Sequence, residues 1–311
     1  MLKNVSNKTL GILFSVLLII ALVIILSDSG GNERSFRTEL VDIDTSAVSK
    51  IVIYPKKLNG GEINLFKQDS TWSVDLGDGK TATVPQSKIN ELTKQLLEVK
   101  PERLAGRGEK SWTEFEVDSS ATRVEIYEGS DKTLNLLVGK FAFQQPRTMK
   151  TYVRLANDSD VYEVDGFLSM TFNQDANAFR DPTIIKGTER DWKSISFSYP
   201  ADSSFQLVKL NNKWKLSNGE PVDSAKSATT LRQIVNLRGT DFVDMVKESL
   251  GLPEYKLTII KNDDSQIEVF GYKQGDKVII NSSLNPDAYF DGSKGSLFTK
   301  VFPGLKKFTT E

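Results

Sequence analysis

RVEIYEGSDKTLNLLVG, residues 123–139, and KLTIIKNDDSQIEVFGY, residues 256–272, align without a gap, and their reading decides the fold. Val124, Ile126, Leu134 and Leu136 in the first match Leu257, Ile259, Ile267 and Val269 in the second. Apolar and polar residues alternate, the period of a strand with one buried face. EGSDK (128–132) and NDDS (262–265) supply the residues that turn a hairpin. A chain that spells the same hairpin twice predicts two lobes of like fold.

The surrounding sequence repeats as well. The first half carries SKIVIYP (49–55), INLFKQDSTWSV (63–74) and a helix-like VPQSKINELTKQLLEV (84–99). The second carries KSISFSYP (193–200), FQLVKLNNKWKL (205–216) and PVDSAKSATTLRQIVNL (221–237). Trp72 and Trp214 hold the same place, and both are expected in the core. Ile89, Leu92, Leu96, Leu97 and Val99 share a helix face, as do Leu231, Ile234, Val235 and Leu237. Ser87 and Ser224 are candidate N-terminal caps. Further strands follow at TYVRL (151–155) and KVIIN (277–281), and Tyr162 and Tyr289 read as matched packing positions. Helix-like tails close each half, at residues 166–181 and 295–308.

Residues Leu10 to Leu26 form a different kind of segment, seventeen residues without a charge. At about 1.5 Å per residue such a helix nearly spans a hydrocarbon core. A cleaved signal peptide would have a shorter apolar region ending in small residues, whereas Ile25 and Leu26 close this one. Lys3 and Lys8 precede the run and Asp28 follows it, which favours an inside N-terminus. The predicted fold class is therefore α+β, an N-terminal transmembrane helix followed by two similar β-rich lobes, roughly β-β-α-β-β-β each. The expected divisions are an anchor at 1–27, a flexible tether at 28–40, a first lobe at 41–185 and a second at 186–311.

Formal net charge is −1, with acidic and basic residues interspersed, so no nucleic-acid surface is expected. The chain has neither cysteine nor histidine. That removes disulfides, thiolate chemistry, the usual general base and most zinc sites. Asp42 and Asp44 read as turn-capping residues rather than a metal pair. DLGDGK (75–80) lacks the spacing of a calcium loop and reads as a hairpin turn. AGRGEK (105–110) matches no phosphate-binding fingerprint and reads as a flexible exposed loop, with Arg107 or Lys110 able to meet an anion. Asp287 and Asp291 flank Tyr289 with no recognisable catalytic context, and Trp112 and Trp192 read as packing. No catalytic, cofactor-binding or metal-binding residue is predicted, and no cofactor.

VDIDTSAVSKIVI (41–53), the Trp-bearing hairpin before VPQSKINELTKQL, and DANAFRDPTII (175–185) together resemble the bacterial family known as domain of unknown function 4340. Arg180-Asp181 match a frequent pair of that family, while Pro182 stands where a basic residue is more usual. The resemblance implies an accessory subunit, because members tend to be encoded beside ABC-type transport components of the gliding-motility kind.

The leading expectation is a single-pass, membrane-anchored, non-enzymatic interaction subunit in the bacterial inner membrane, its lobes outside the cytoplasm. Its expected partners are ABC-type transporter subunits or other envelope proteins. A glycan- or peptide-binding module with its site between the lobes is the alternative. A carboxylate-based hydrolase is the third reading, and it requires a carboxylate pair about 5–9.5 Å apart in a cleft.

Overall fold

A computed structural model describes residues 14–19, 37–144, 148–244 and 250–310. Residues 14–19 are helical, with Phe14, Leu17 and Ile19 exposed. The rest of the Leu10–Leu26 run and residues 28–36 of the expected tether lie outside the described residues. Among the described residues no helix is long and apolar enough to cross a membrane.

The body is β-rich, with two antiparallel sheets and few helices. The first sheet contains β1 (Val48–Tyr54), β2 (Ile63–Gln68), β3 (Thr71–Gly77), β4 (Lys80–Val84), β5 (Pro101–Arg107), β6 (Thr122–Glu128), β7 (Asp131–Gln144), β8 (Thr148–Leu155) and β9 (Asp160–Asp165). Their order is β4-β3-β2-β1-β6-β7-β8-β9-β5. The second contains β10 (Trp192–Ser198), β11 (Phe205–Leu210), β12 (Lys213–Leu216), β13 (Tyr255–Lys261), β14 (Gln266–Gln274), β15 (Lys277–Ser282) and β16 (Asn285–Asp291), ordered β12-β11-β10-β13-β14-β15-β16.

The registers repeat. Ile51 lies opposite Leu65 and Ile126, and Ile195 lies opposite Leu207 and Ile259. Irregularities fall at matching places, Val48/Lys50 and Trp192/Ser194. The tails repeat too: helix Leu168–Phe172 precedes a 3-10 turn at Ala176–Ala178, and helix Leu297–Val301 precedes one at Leu305–Lys307.

Each lobe holds more strands than the β-β-α-β-β-β reading allowed. The Trp-bearing stretches are two strands apiece, because Asp69 (φ 55°), Asn211 (φ 53°) and Asn212 (φ 59°) turn the backbone through the left-handed region between them. Asn and Asp enter that region more readily than other side chains do. The segments around Tyr162 and Tyr289 add strands β9 and β16. The first lobe adds β4, β5 and helix Gly108–Glu114.

One amphipathic helix covers each sheet. Helix Gln86–Leu97 buries Ile89, Leu92 and Leu96 against Ile51, Leu65, Val124 and Leu136. Helix Ser224–Ile234 buries Leu231 and Ile234 in the second core with Ile195, Leu207, Leu257 and Ile267. Full burial of each such side chain stabilises by about 1.5–3 kcal/mol. Leu97 points to solvent instead, since it falls outside the buried stripe. Neither serine caps its helix. Pro85 takes the N-cap of the first without a side-chain bond, and Asp223 caps the second by accepting from the amides of Ala225 and Lys226, each at 2.9 Å. A carboxylate at Asp223 precedes Ser224 and takes the donors that the hydroxyl would have needed. The first core already includes Leu40, and Ile184 and Ile185 belong to the second core, so the chain changes lobes between Phe179 and Ile184.

Candidate functional site

Residues 180–185 cross from one core to the other and are bonded on both sides. The Asp181 amide donates to the Thr83 carbonyl at 3.0 Å, while Asn285 Nδ2 donates to the Asp181 carbonyl at 2.7 Å. The Ile184 and Ile185 amides share the Leu237 carbonyl, and the Gly239 amide reaches the Pro182 carbonyl at 2.9 Å. Ser282 Oγ donates to the Ile184 carbonyl at 2.6 Å. This crossing forms the floor of a cleft of about 590 Å³, walled by the start of helix Gln86–Leu97 and by residues 236–242.

Arg180 is the most constrained group there. Its side chain is 4% exposed. Nη1 donates to Asn177 Oδ1 at 3.1 Å and to Asp244 Oδ1 at 2.7 Å. The guanidinium carbon lies 4.1 Å from the centre of the Phe242 ring, within cation–π range. Arg180 Nε is buried with no hydrogen-bond partner. Lys88, Lys186 and Arg238 bring further positive charge, against the carboxylates of Glu91 and Asp181. Lys88 and Glu91 form an exposed pair at 3.7 Å, and Asp181 Oδ1 accepts from the Thr183 amide at 2.9 Å.

The residues weighed in the sequence lie elsewhere. Asp44 takes the Ser46 amide and hydroxyl, the turn expected of it, and those bonds hold its carboxyl below the usual range. Asp75 to Lys80 forms the β3–β4 turn, with positive φ at Gly77, Asp78 and Gly79. Tyr162 and Tyr289 are both buried. AGRGEK is not a loop: it ends β5 and begins helix Gly108–Glu114, and Arg107 pairs with Asp160 at 3.2 Å. Gly106 is needed for close packing, because a Cβ there would sit 2.4 Å from Ser111 Oγ. Trp72 and Trp192 are buried. Trp214 is only half-buried and donates to Glu189 Oε1 at 2.8 Å, so the expected equivalence of Trp72 and Trp214 holds for register but not for burial. Trp112, also half-buried, donates to the Ser159 carbonyl at 3.0 Å and stacks on Arg154.

Charge is buried on the first sheet too, in closed pairs. Lys150 bonds Glu102 and Asp165, Arg103 bonds Glu163 at 2.5 Å, and Lys132 bonds Glu125 at 2.9 Å. Burial alone would raise the Glu125 carboxyl, but hydrogen bonds from Lys132 and Tyr127 outweigh it and hold the group low. Asp118, Asp165, Asp263 and Asp291 are likewise shifted down, chiefly by hydrogen bonds from Ser120, Lys150, Ser265 and Ser293. A general acid at neutral pH needs the opposite displacement. Among the described residues no group of three or more Asp or Glu could hold a metal.

Sequence reading singled out Arg180-Asp181 only as a family pair, and it missed Lys88, Lys186, Asn236 and Arg238. The available signal was positional: Lys186 and Arg238 sit in the two polar segments that flank the predicted boundary and the end of the second helix.

The fold and cleft define a two-lobed α+β protein with a polar, cation-rich groove at the crossing. Residues 72–258, more than half of the chain, match the family described as Domain of unknown function (DUF4340), and the chain belongs to that family. No curated protein and no solved structure matches it.

Proposed function

We propose that the chain is a single-pass membrane-anchored, non-enzymatic interaction subunit of an ABC-type transport or envelope complex, with both lobes outside the cytoplasm. The observation that carries this reading is the contrast between residues 10–26, uncharged throughout, and the polar-surfaced two-lobed body behind them. A segment of that composition is stable in hydrocarbon and costly to expose to water. Lys3 and Lys8 on one side and Asp28 on the other orient it. The test is purification in mild detergent from cells that also express the neighbouring transporter genes. Stoichiometric recovery of transporter subunits is the expected result, and a lone monomer would overturn the reading.

A second reading is favoured by the cleft at the crossing, whose volume of about 590 Å³ lies in the range of ligand sites. In it the lobes form an extracytoplasmic glycan- or peptide-binding module. The hydrolase reading has less support. Glu91 and Asp181 are the carboxylates lining the cleft, and one is ion-paired while the other holds a backbone amide.

A further inference from the structure

We infer that the cleft takes an acidic carbohydrate, a hydroxyl-bearing ring that carries a carboxylate or phosphate. This rests on the second reading above, that a ligand occupies the crossing between the lobes.

Three independent features favour an anionic group. Arg180 is almost wholly buried in the cleft wall, where Asp244 and Asn177 engage its Nη1 while its Nε lacks a partner. A buried donor left unpaired is costly, and a guanidinium matches the geometry of an oxyanion. Lys186 and Arg238 stand exposed at the cleft, and among the described residues neither has an ion-pair partner. The first turn of helix Gln86–Leu97 lines the same space through Ser87 and Lys88, and its N-cap, Pro85, provides no side-chain cap. The amides of Gln86 and Ser87 have no acceptor among the described residues, so the positive end of the helix dipole is open there.

The remaining lining suits a sugar better than a bare anion. The space is several times the size of one phosphate group. Ser87, Thr183 and Asn236 offer neutral hydrogen-bonding groups. Asn236 spends Oδ1 on the Gly187 amide at 3.1 Å, which leaves its Nδ2 to donate. Glu91 and Asp181 are acceptors for ring hydroxyls beside the cations. Polar and charged side chains outnumber the apolar ones at the cleft, Pro85, Ala178, Pro182, Ile185 and Phe242, which suits a hydroxyl-bearing ligand with an apolar ring face.

The experiment is isothermal titration of the full-length chain in detergent with three probes: trigalacturonate, glucose 1-phosphate and neutral cellobiose. Binding of trigalacturonate or glucose 1-phosphate, with cellobiose at least tenfold weaker, is expected, and the stronger acid identifies the source of charge. Affinity should fall as salt rises, as for exposed charges. Lys186→Ser with Arg238→Ser should weaken binding at least tenfold, while Lys213→Ser with Lys273→Ser, remote from the cleft, should not. Arg180→Lys keeps the charge but loses the planar fork and its bonds to Asn177 and Asp244, and should weaken binding while lowering the melting temperature. Should that variant fail to fold, the Lys186/Arg238 pair still decides. Equal binding of cellobiose, or an unaffected Lys186/Arg238 variant, would overturn the acidic assignment and leave a cleft that binds glycans. Silence from all three probes would overturn this inference and the glycan form of the second reading together.

Discussion

Trp72→Ala and Trp214→Ala remove the same side chain from the same register position, yet their costs should differ. Trp72 faces Lys67 on β2 and Val84 on β4, so strands flank it on both sides, and it is 3% exposed. Emptying such a site costs about 3–5 kcal/mol. Trp214 faces Lys209 on β11, and β12 is the outer strand of its sheet. Its ring is partly exposed, packs against the second core, and is held by Glu189 at 2.8 Å and the Lys209 ammonium 5.1 Å from the ring. The ring is less buried than that of Trp72, and water can replace the hydrogen bond, so the loss is smaller, about 2–3 kcal/mol. Hydrogen exchange on the full-length chain separates the lobes. Trp72→Ala should speed amides in β1–β3 and leave β10–β12 unchanged, and Trp214→Ala the reverse, by a smaller factor. A Trp214→Ala cost equal to or above that of Trp72→Ala would refute the edge-strand argument.

Gly239→Ala places a Cβ 2.1 Å from the ring of Phe290, which is fully buried, and should destabilise by about 1–3 kcal/mol in urea unfolding. Asp223→Ala removes the cap of helix Ser224–Ile234 and should cost about 1 kcal/mol by the same assay. The Asp291 carboxyl is held below its ordinary value of 3.8 by Ser293 and, against the pull of burial, also by Lys277. A depressed folded pKa stabilises fully above the unfolded value and is lost as pH falls through the folded one, so Asp291→Asn should flatten the acid side of the stability profile. Gly11→Leu with Ser15→Leu should leave membrane insertion and partner association unchanged if residues 10–26 only tether. Lost association with normal insertion would show instead that this helix packs on a partner.

The strands that could be read from sequence were those whose alternation is clean, such as Val124 and Ile126 facing Leu136 and Leu134 across the β6–β7 hairpin. Period two reports which face is buried and says nothing of a strand's neighbour. β5 was therefore hidden: PERLAGR holds a Pro and a Gly, and its pairing with β9 shifts register twice, which breaks the pattern. Its partner also lies some sixty positions along the chain. The cleft was illegible for a related reason. Arg180 reads as an ordinary surface cation, and only tertiary structure places it under Phe242 with Asp244 beside it.

The two lobes also differ where the cleft lies, and chain connectivity explains why. The buried faces of the covering helices, Ile89, Leu92, Thr93 and Leu96 against Ser227, Thr230, Leu231 and Ile234, share one spacing, which sets Pro85 opposite Asp223. In the second lobe the tail folds back over its own helix: the Asp223 amide donates to the Phe308 carbonyl at 2.8 Å, and Lys226 Nζ reaches the Thr309 carbonyl at 2.9 Å. In the first lobe the tail continues past Phe179 into the crossing, and Pro85 has no amide hydrogen with which to repeat that bond. The helix start is thus closed in one copy and open in the other. The opening is lined by the polar residues that a segment passing between two cores must carry, since its backbone and side chains stay partly wet. A repeat of two like lobes thereby keeps an open helix start in one copy, at the place where the repeat is broken.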